Sequence, residues 1–267
     1  MGLTLVLVAS GAWAADHAAS DAATFKTAVD ALANGDSITL SGDVTTGGGN
    51  AGIPQNIFLP SGITALTIKS DTPGTTRLIQ SQGFSSSGSV DPKYVFGNFS
   101  RGSTTTLTDI NFDRAALGID LGDGGGLAAA KLSFTGAAAP TFKGSVYGSG
   151  KTQLLLTHFA AGTHTIISSA NALAGTTLND LAVYGYRLTP AGDQLAASTQ
   201  LAARLGATLS LANGNKDVVL TTTIGNTANT IEWSGMLDNV VGNNALNWFT
   251  GSNQLNIYQP IDTLVFR

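Results

Sequence analysis

Along most of the chain, apolar residues alternate with polar ones in runs of only a few residues. Ile38-Thr-Leu40, Leu66-Thr-Ile68, Tyr94-Val-Phe96, Leu107-Thr-Asp-Ile-Asn-Phe112, Ile119-Asp-Leu121, Leu132-Ser-Phe134, Leu154-Leu-Leu156 and Leu209-Ser-Leu211 are separated by Gly, Asn, Ser, Thr and Asp. A period of two places alternate side chains on one face, so each run predicts a short strand. One stretch has a helical period instead. Phe25, Val29 and Leu32 recur at i, i+4 and i+7 behind Ser20-Asp21, and Asn34-Gly35 stops the run. The spacing predicts a helix over Ser20–Ala33, followed at once by the strand Asp36–Leu40.

Many short strands fit an antiparallel sandwich or a parallel β-solenoid. A sandwich calls for regular hairpin turns and a charged outer face. Hairpin signals are sparse before Asn213-Gly-Asn-Lys-Asp217, and the outward positions are Thr, Ser, Asn and Gly. Charge decides further: only 11% of residues are charged, against about 25% in an average domain. Stacked like charges repel, whereas stacked hydroxyls and amides do not. The pattern therefore predicts an all-β fold, a right-handed parallel β-helix over 37–230, with the helix within 15–36 capping its exposed first rung.

The 267-residue chain has a net charge of −4 and no cysteine. The first figure argues against nucleic acid as a partner, since that requires a basic face. The second removes disulfides, thiol nucleophiles and Cys-ligated zinc. Leu3–Ser10 is a short apolar run leading to Ala12-Trp-Ala14, a small-x-small site, so residues 1–14 read as a secretory signal peptide that lacks a basic start.

Several segments resemble a known family. Phe25-x-x-Ala28-x-x-Ala31-Leu-Ala-Asn-Gly-Asp-Ser-Ile-Thr-Leu40 resembles the capped first rung of bacterial autotransporter passengers. Gly150–Leu173 and Leu205–Leu220 are similar to later passenger rungs. Trp233-Ser-Gly235, Asn247-Trp248 and Asp262-Thr-Leu-Val-Phe266 look like one autotransporter-associated β-strand repeat, over 231–267. The resemblance implies an exported surface passenger at the outer membrane. It also implies a β-barrel beyond Arg267 and a non-enzymatic scaffold for adhesion to host cells, neighbouring cells or glycans. No cofactor or metal is expected.

The alternative is a polysaccharide lyase or hydrolase centred on Asp109, Asp113 and Asp120. Asp109, Asn111 and Asp113 fall on one face of a continuous strand, with Asp123, Arg114 and Lys131 near in sequence. Such a face suits Ca²⁺ or an acid/base pair. Against it, single Asp residues at turns ordinarily accept from turn amides. A third reading is a secreted structural solenoid with no ligand. Gly148-Ser-Gly-Lys151-Thr152 lacks the glycine spacing of a phosphate loop. His17, His158 and His164 do not share a zinc-ligand spacing. No Gly-x-Ser-x-Gly elbow is present. Trp233, Trp248 and Phe249 suit a sugar platform or, more commonly, a core.

Overall fold

The computed structural model describes residues 14–47, 57–60, 62–82, 95–122, 128–142, 151–186, 200–233, 248–250, 254–256 and 259–265. The leader-like segment, apart from Ala14, and the glycine run around Lys151 lie outside them. In chain order the elements begin β1 (Asp16–Ala19), α1 (Ala22–Asp30), β2 (Ser37–Leu40), β3 (Val44–Gly47), β4 (Ile57–Phe58), β5 (Ala65–Ser70) and β6 (Arg77–Gln82). There follow β7 (Val95–Phe99), β8 (Thr104–Thr108), β9 (Ile110–Asp113), β10 (Ala116–Asp120), β11 (Lys131–Phe134), β12 (Thr152–His158) and β13 (Gly162–Ser169). The chain closes with β14 (Leu181–Gly185), β15 (Leu205–Ala212), β16 (Asp217–Ile224), β17 (Thr230–Trp233), β18 (Trp248–Thr250), β19 (Gln254–Asn256) and β20 (Thr263–Val265).

The strands form four sheets: β1-β2-β5-β8-β11-β13-β16-β15, β14-β12-β10-β7-β4, β3-β6-β9 and β19-β18-β17-β20. In the first, β1 to β13 run parallel and in register, so Ile38, Ile68, Leu107 and Phe134 form one inward row. Polar residues alternate outward, as the period-two runs predict. The chain then reverses. β16 pairs antiparallel with both β13 and β15. The turn between β15 and β16 has positive φ at Asn213, Gly214 and Asn215, the left-handed geometry that Asn and Gly accept most readily.

These features correct the expected fold. A right-handed parallel β-helix, open and repeating over 37–230, gives way to a closed domain of four packed, mostly parallel sheets. The antiparallel β13-β16-β15 arrangement turns the largest sheet back on itself, and the sheet of β17 to β20 mixes both senses. The segment Leu205–Leu220, expected as a parallel rung, is that antiparallel hairpin. The residue pattern misled because ladders of Thr, Ser and Asn suit any parallel stack. They carry no information on whether the stacking continues.

Helix α1 packs against β1, β2, β3 and β4. It thereby lies across the first strands of three sheets. Asp21 caps it: the Thr24 amide donates to Asp21 Oδ1 at 2.8 Å, and the Asp21 amide donates back to Thr24 Oγ1 at 3.1 Å. Phe25 and Val29 are fully buried, while Leu32 is partly buried against the same core. Asp36 secures the junction. Its carboxylate accepts from the Ala15 amide at 2.7 Å and the Ala33 amide at 2.8 Å, and lies 3.1 Å from His17 Nε2. Those amides and His17 hold the Asp36 carboxyl below the usual range.

The last sheet is joined to the rest by a buried ion pair. Arg204 Nη1 and Nη2 donate to Asp262 Oδ1 and Oδ2 at 2.6 and 2.7 Å, and Nε donates to Asn256 Oδ1 at 2.8 Å. Amides of Asn229 and Gln259 complete the carboxylate. Burial raises the pKa of Asp262, but these donors outweigh it and leave the group below its ordinary value. Its stabilising contribution is therefore present above the unfolded-state pKa and is lost as pH falls through the folded one. Arg204→Ala strands a buried carboxylate and should cost about 3–5 kcal/mol, read by denaturant unfolding. Most of the difference from the parent should vanish in acid, where Asp262 is protonated.

Candidate functional site

The acidic residues singled out in the sequence do not form one site. Asp109 has φ of 55° and separates β8 from β9, so it does not continue a strand with Asn111 and Asp113. Its Oδ2 accepts from the Gly74 amide at 2.8 Å and its Oδ1 from the Ala137 amide at 2.9 Å. Asn111 Oδ1 accepts from the Thr141 amide at 3.0 Å. Both bind turns of neighbouring coils. The pocket between them, lined also by Phe134 and Gly136, has room for little more than one water molecule. Asp113 stands apart at the end of β9, fully buried, with neither carboxylate oxygen hydrogen-bonded.

Asp120 does acquire partners. Register pairs it with His158 on the next strand, and His158 Nδ1 lies 3.1 Å from Asp120 Oδ2. That is ion-pair distance, off the line of a hydrogen bond. Arg101 Nε lies 3.9 Å from the same oxygen, and the Gly122 amide donates to Oδ1 at 2.7 Å. Burial works to raise the pKa of Asp120, yet His158, the Gly122 amide and Arg101 together hold it below the ordinary carboxylate range. The group is thus an anion clasped by its neighbours.

Of the other sequence candidates, Asp123 lies outside the described residues and Arg114 is buried next to Asp113. Lys131 is a partly exposed outward residue of β11. Lys151 is exposed, and the hydroxyl of Thr152 donates to the Phe142 carbonyl at 2.7 Å. His164 Nε2 sits 3.0 Å from the Ala160 carbonyl. Trp248 is fully buried and meets Trp233 edge-on at 4.9 Å, with Phe249 packed against the main core; the pair is core rather than platform. Among the described residues, no three of His, Cys, Asp or Glu cluster to hold a metal. Nor is any helix among them long and apolar enough to cross a membrane.

Sequence reasoning missed the feature with the greatest extent. The outward face of the eight-stranded sheet is a ladder of hydroxyls. Ser37, Thr67, Thr106, Ser133 and Ser168 align strand by strand in one row. Thr39, Lys69 and Thr108 form a second, with Thr108 Oγ1 bonded to Thr135 Oγ1 at 2.8 Å. Beyond the reversal, Thr163, Thr221 and Thr208 align in the same way. The rows repeat at the strand spacing of about 4.8 Å, and neighbours along a strand stand about 6.6 Å apart. All are partly or fully exposed. Charged residues interrupt the face at Lys131 of β11 and at Asp217 of β16, opposite Ser168, and cluster at its β1 end. There Asp16 accepts from Ser37 and Thr39 at 2.7 and 2.8 Å and pairs with Lys69 at 3.2 Å. The signal was present as the polar partners of each triplet, which were read only as evidence for stacking.

Removing His158 deprives the Asp120 carboxylate of the largest of its stabilising neighbours. In His158→Ala the Asp120 pKa should rise relative to the parent, read from its side-chain carboxyl carbon by NMR titration. An unchanged titration would show that the Gly122 amide and Arg101 alone set it.

No protein-family model matches the chain, nor does any curated protein or solved structure. The resemblance to autotransporter passengers is corrected by the architecture itself. The segments that suggested successive rungs build a closed domain of four packed sheets around an aromatic core, not the open solenoid of an exported, outer-membrane adhesin scaffold.

Proposed function

We propose that this protein binds a hydroxyl-rich ligand, a glycan chain, on the outer face of its eight-stranded sheet, and performs no chemistry on it. The observation that carries the proposal is the register of Ser37, Thr67, Thr106, Ser133 and Ser168 across consecutive parallel strands. A hydroxyl donates and accepts, so it matches a sugar hydroxyl in either sense. Ser and Thr are short, and ordering them on binding costs little entropy compared with Lys, Gln or Glu. Each contact is weak, but contacts repeated along one chain act together. Neutral glycans suit the face better than acidic ones. Among the described residues its cations are few, and Lys69 is paired with Asp16. The leader-like run Leu3–Ser10 supports a place of action outside the cytoplasm.

The test is binding to a panel of insoluble and arrayed glycans, neutral and acidic. The triple variant Thr67→Val, Thr106→Val, Ser133→Ala keeps similar side-chain shapes and removes three hydroxyls. Loss of about 1 kcal/mol per hydrogen bond predicts a fall in affinity well beyond tenfold, with melting nearly unchanged. Binding equal to the parent's would move the ligand off this face.

A further inference from the structure

The unpaired carboxylate of Asp113 points to a second kind of ligand. Its side chain is fully buried, and neither Oδ1 nor Oδ2 meets a donor. The adjacent strand places Gln80 opposite it in register, and Thr45 stands opposite Gln80 on the strand beyond. Phe112 fills the core side of β9, so Asp113 and Gln80 share the outward face of the three-stranded sheet. Gln80 is 7% exposed. Its Nε2 donates to Thr45 Oγ1 at 2.7 Å, while its Oε1 has no donor. Three buried oxygens on two paired strands thus lack a hydrogen-bond donor. Arg114, the next residue, is engaged with partners of its own.

A buried carboxylate is retained only if something compensates its charge. We propose that Asp113 and Gln80 hold a monovalent alkali cation, Na⁺ or K⁺, against the outer face of β6 and β9. Hard cations take oxygen ligands, and carboxylate and amide oxygens are among their usual partners. Charge balance selects the monovalent ion. One carboxylate and one neutral amide neutralise a single positive charge, whereas a divalent ion would leave a net charge buried. The competing solution is a turned Gln80 amide, with Thr45 Oγ1 donating to Oε1 and Nε2 donating to Asp113. It needs no cation and predicts different behaviour.

The full chain should be melted in the chlorides of sodium, potassium and tetramethylammonium at equal ionic strength. Sodium-23 NMR would report direct exchange with the protein. We expect a saturable rise in melting temperature with one alkali ion over tetramethylammonium, absent in Asp113→Asn. Gln80→Leu keeps the carboxylate and should shift saturation to at least several-fold higher salt, which covers the case of a poorly folding Asp113 variant. Equal melting in all three salts would overturn the proposal. So would a greater stabilisation by Ca²⁺, or an Asp113→Asn protein more stable than the parent.

Discussion

Contact among phenylalanine rings ties the sheets to one another. Phe25 of the helix meets Phe96 of β7 at 5.4 Å, and Phe96 meets Phe112 of β9 at 6.0 Å. Phe112 then meets Phe134 of β11 at 6.1 Å and Phe142 at 6.3 Å. One ring from the helix and one from each of three sheets thus form a continuous chain through the interior. Backbone bonds hold strands within a sheet, but they do not fix one sheet against the next. The rings do, because tilted and edge-on pairs restrict the relative placement of the surfaces that carry them. The positions of the hydroxyl face, the Asp120–His158 pair and the Asp113–Gln80 pair all follow from that arrangement.

The polar residues divide according to what lies next to them in the stack. Asp109 meets turn amides at Gly74 and Ala137, Asn111 meets that of Thr141, and both are consumed in joining turns. Asp120 meets His158 and Arg101 and stays charged. Apart from Ser37 and Thr39, which donate to Asp16, the Ser and Thr on the outer face of the large sheet meet their own kind. Low overall charge is the condition for this. A parallel in-register stack places like residues side by side, which hydroxyls tolerate and carboxylates do not.

Local features were legible in the sequence, and their global arrangement was not. The helix around Phe25 and Val29 and its Asp21 cap followed from period and capping chemistry, but it ends at Asp30 with its C-cap at Ala31, short of the Asn34-Gly35 stop. Strands at Ile38–Leu40, Leu66–Ile68 and Leu132–Phe134 followed from alternation. The reversal at Asn213–Lys216 was visible as a hairpin signal, but a turn alone does not say that β16 also pairs with β13. Arg204 offered a clue as a lone cation amid Leu201-Ala-Ala and Leu205, a setting that calls for a buried partner. Asp262 is 58 residues away, and nothing local connects the two. The same distance problem hides Asp120 from His158 and Gln80 from Asp113, since register between coils is set by loop lengths.

The pairing of each strand with one from a different coil has a kinetic consequence. Ile38 bonds across to Ile68, Ile68 to Leu107 and Leu107 to Phe134, so few of the sheet contacts of β2 to β11 are made between close neighbours in sequence. Chains of this kind must close large loops before any contact rewards them, and they fold slowly. The helix end is the exception: α1 and β1 to β3 lie within one short stretch of chain. Assembly that starts there would add later strands to an existing edge, so the order in which the polypeptide becomes available would shape the path by which it folds.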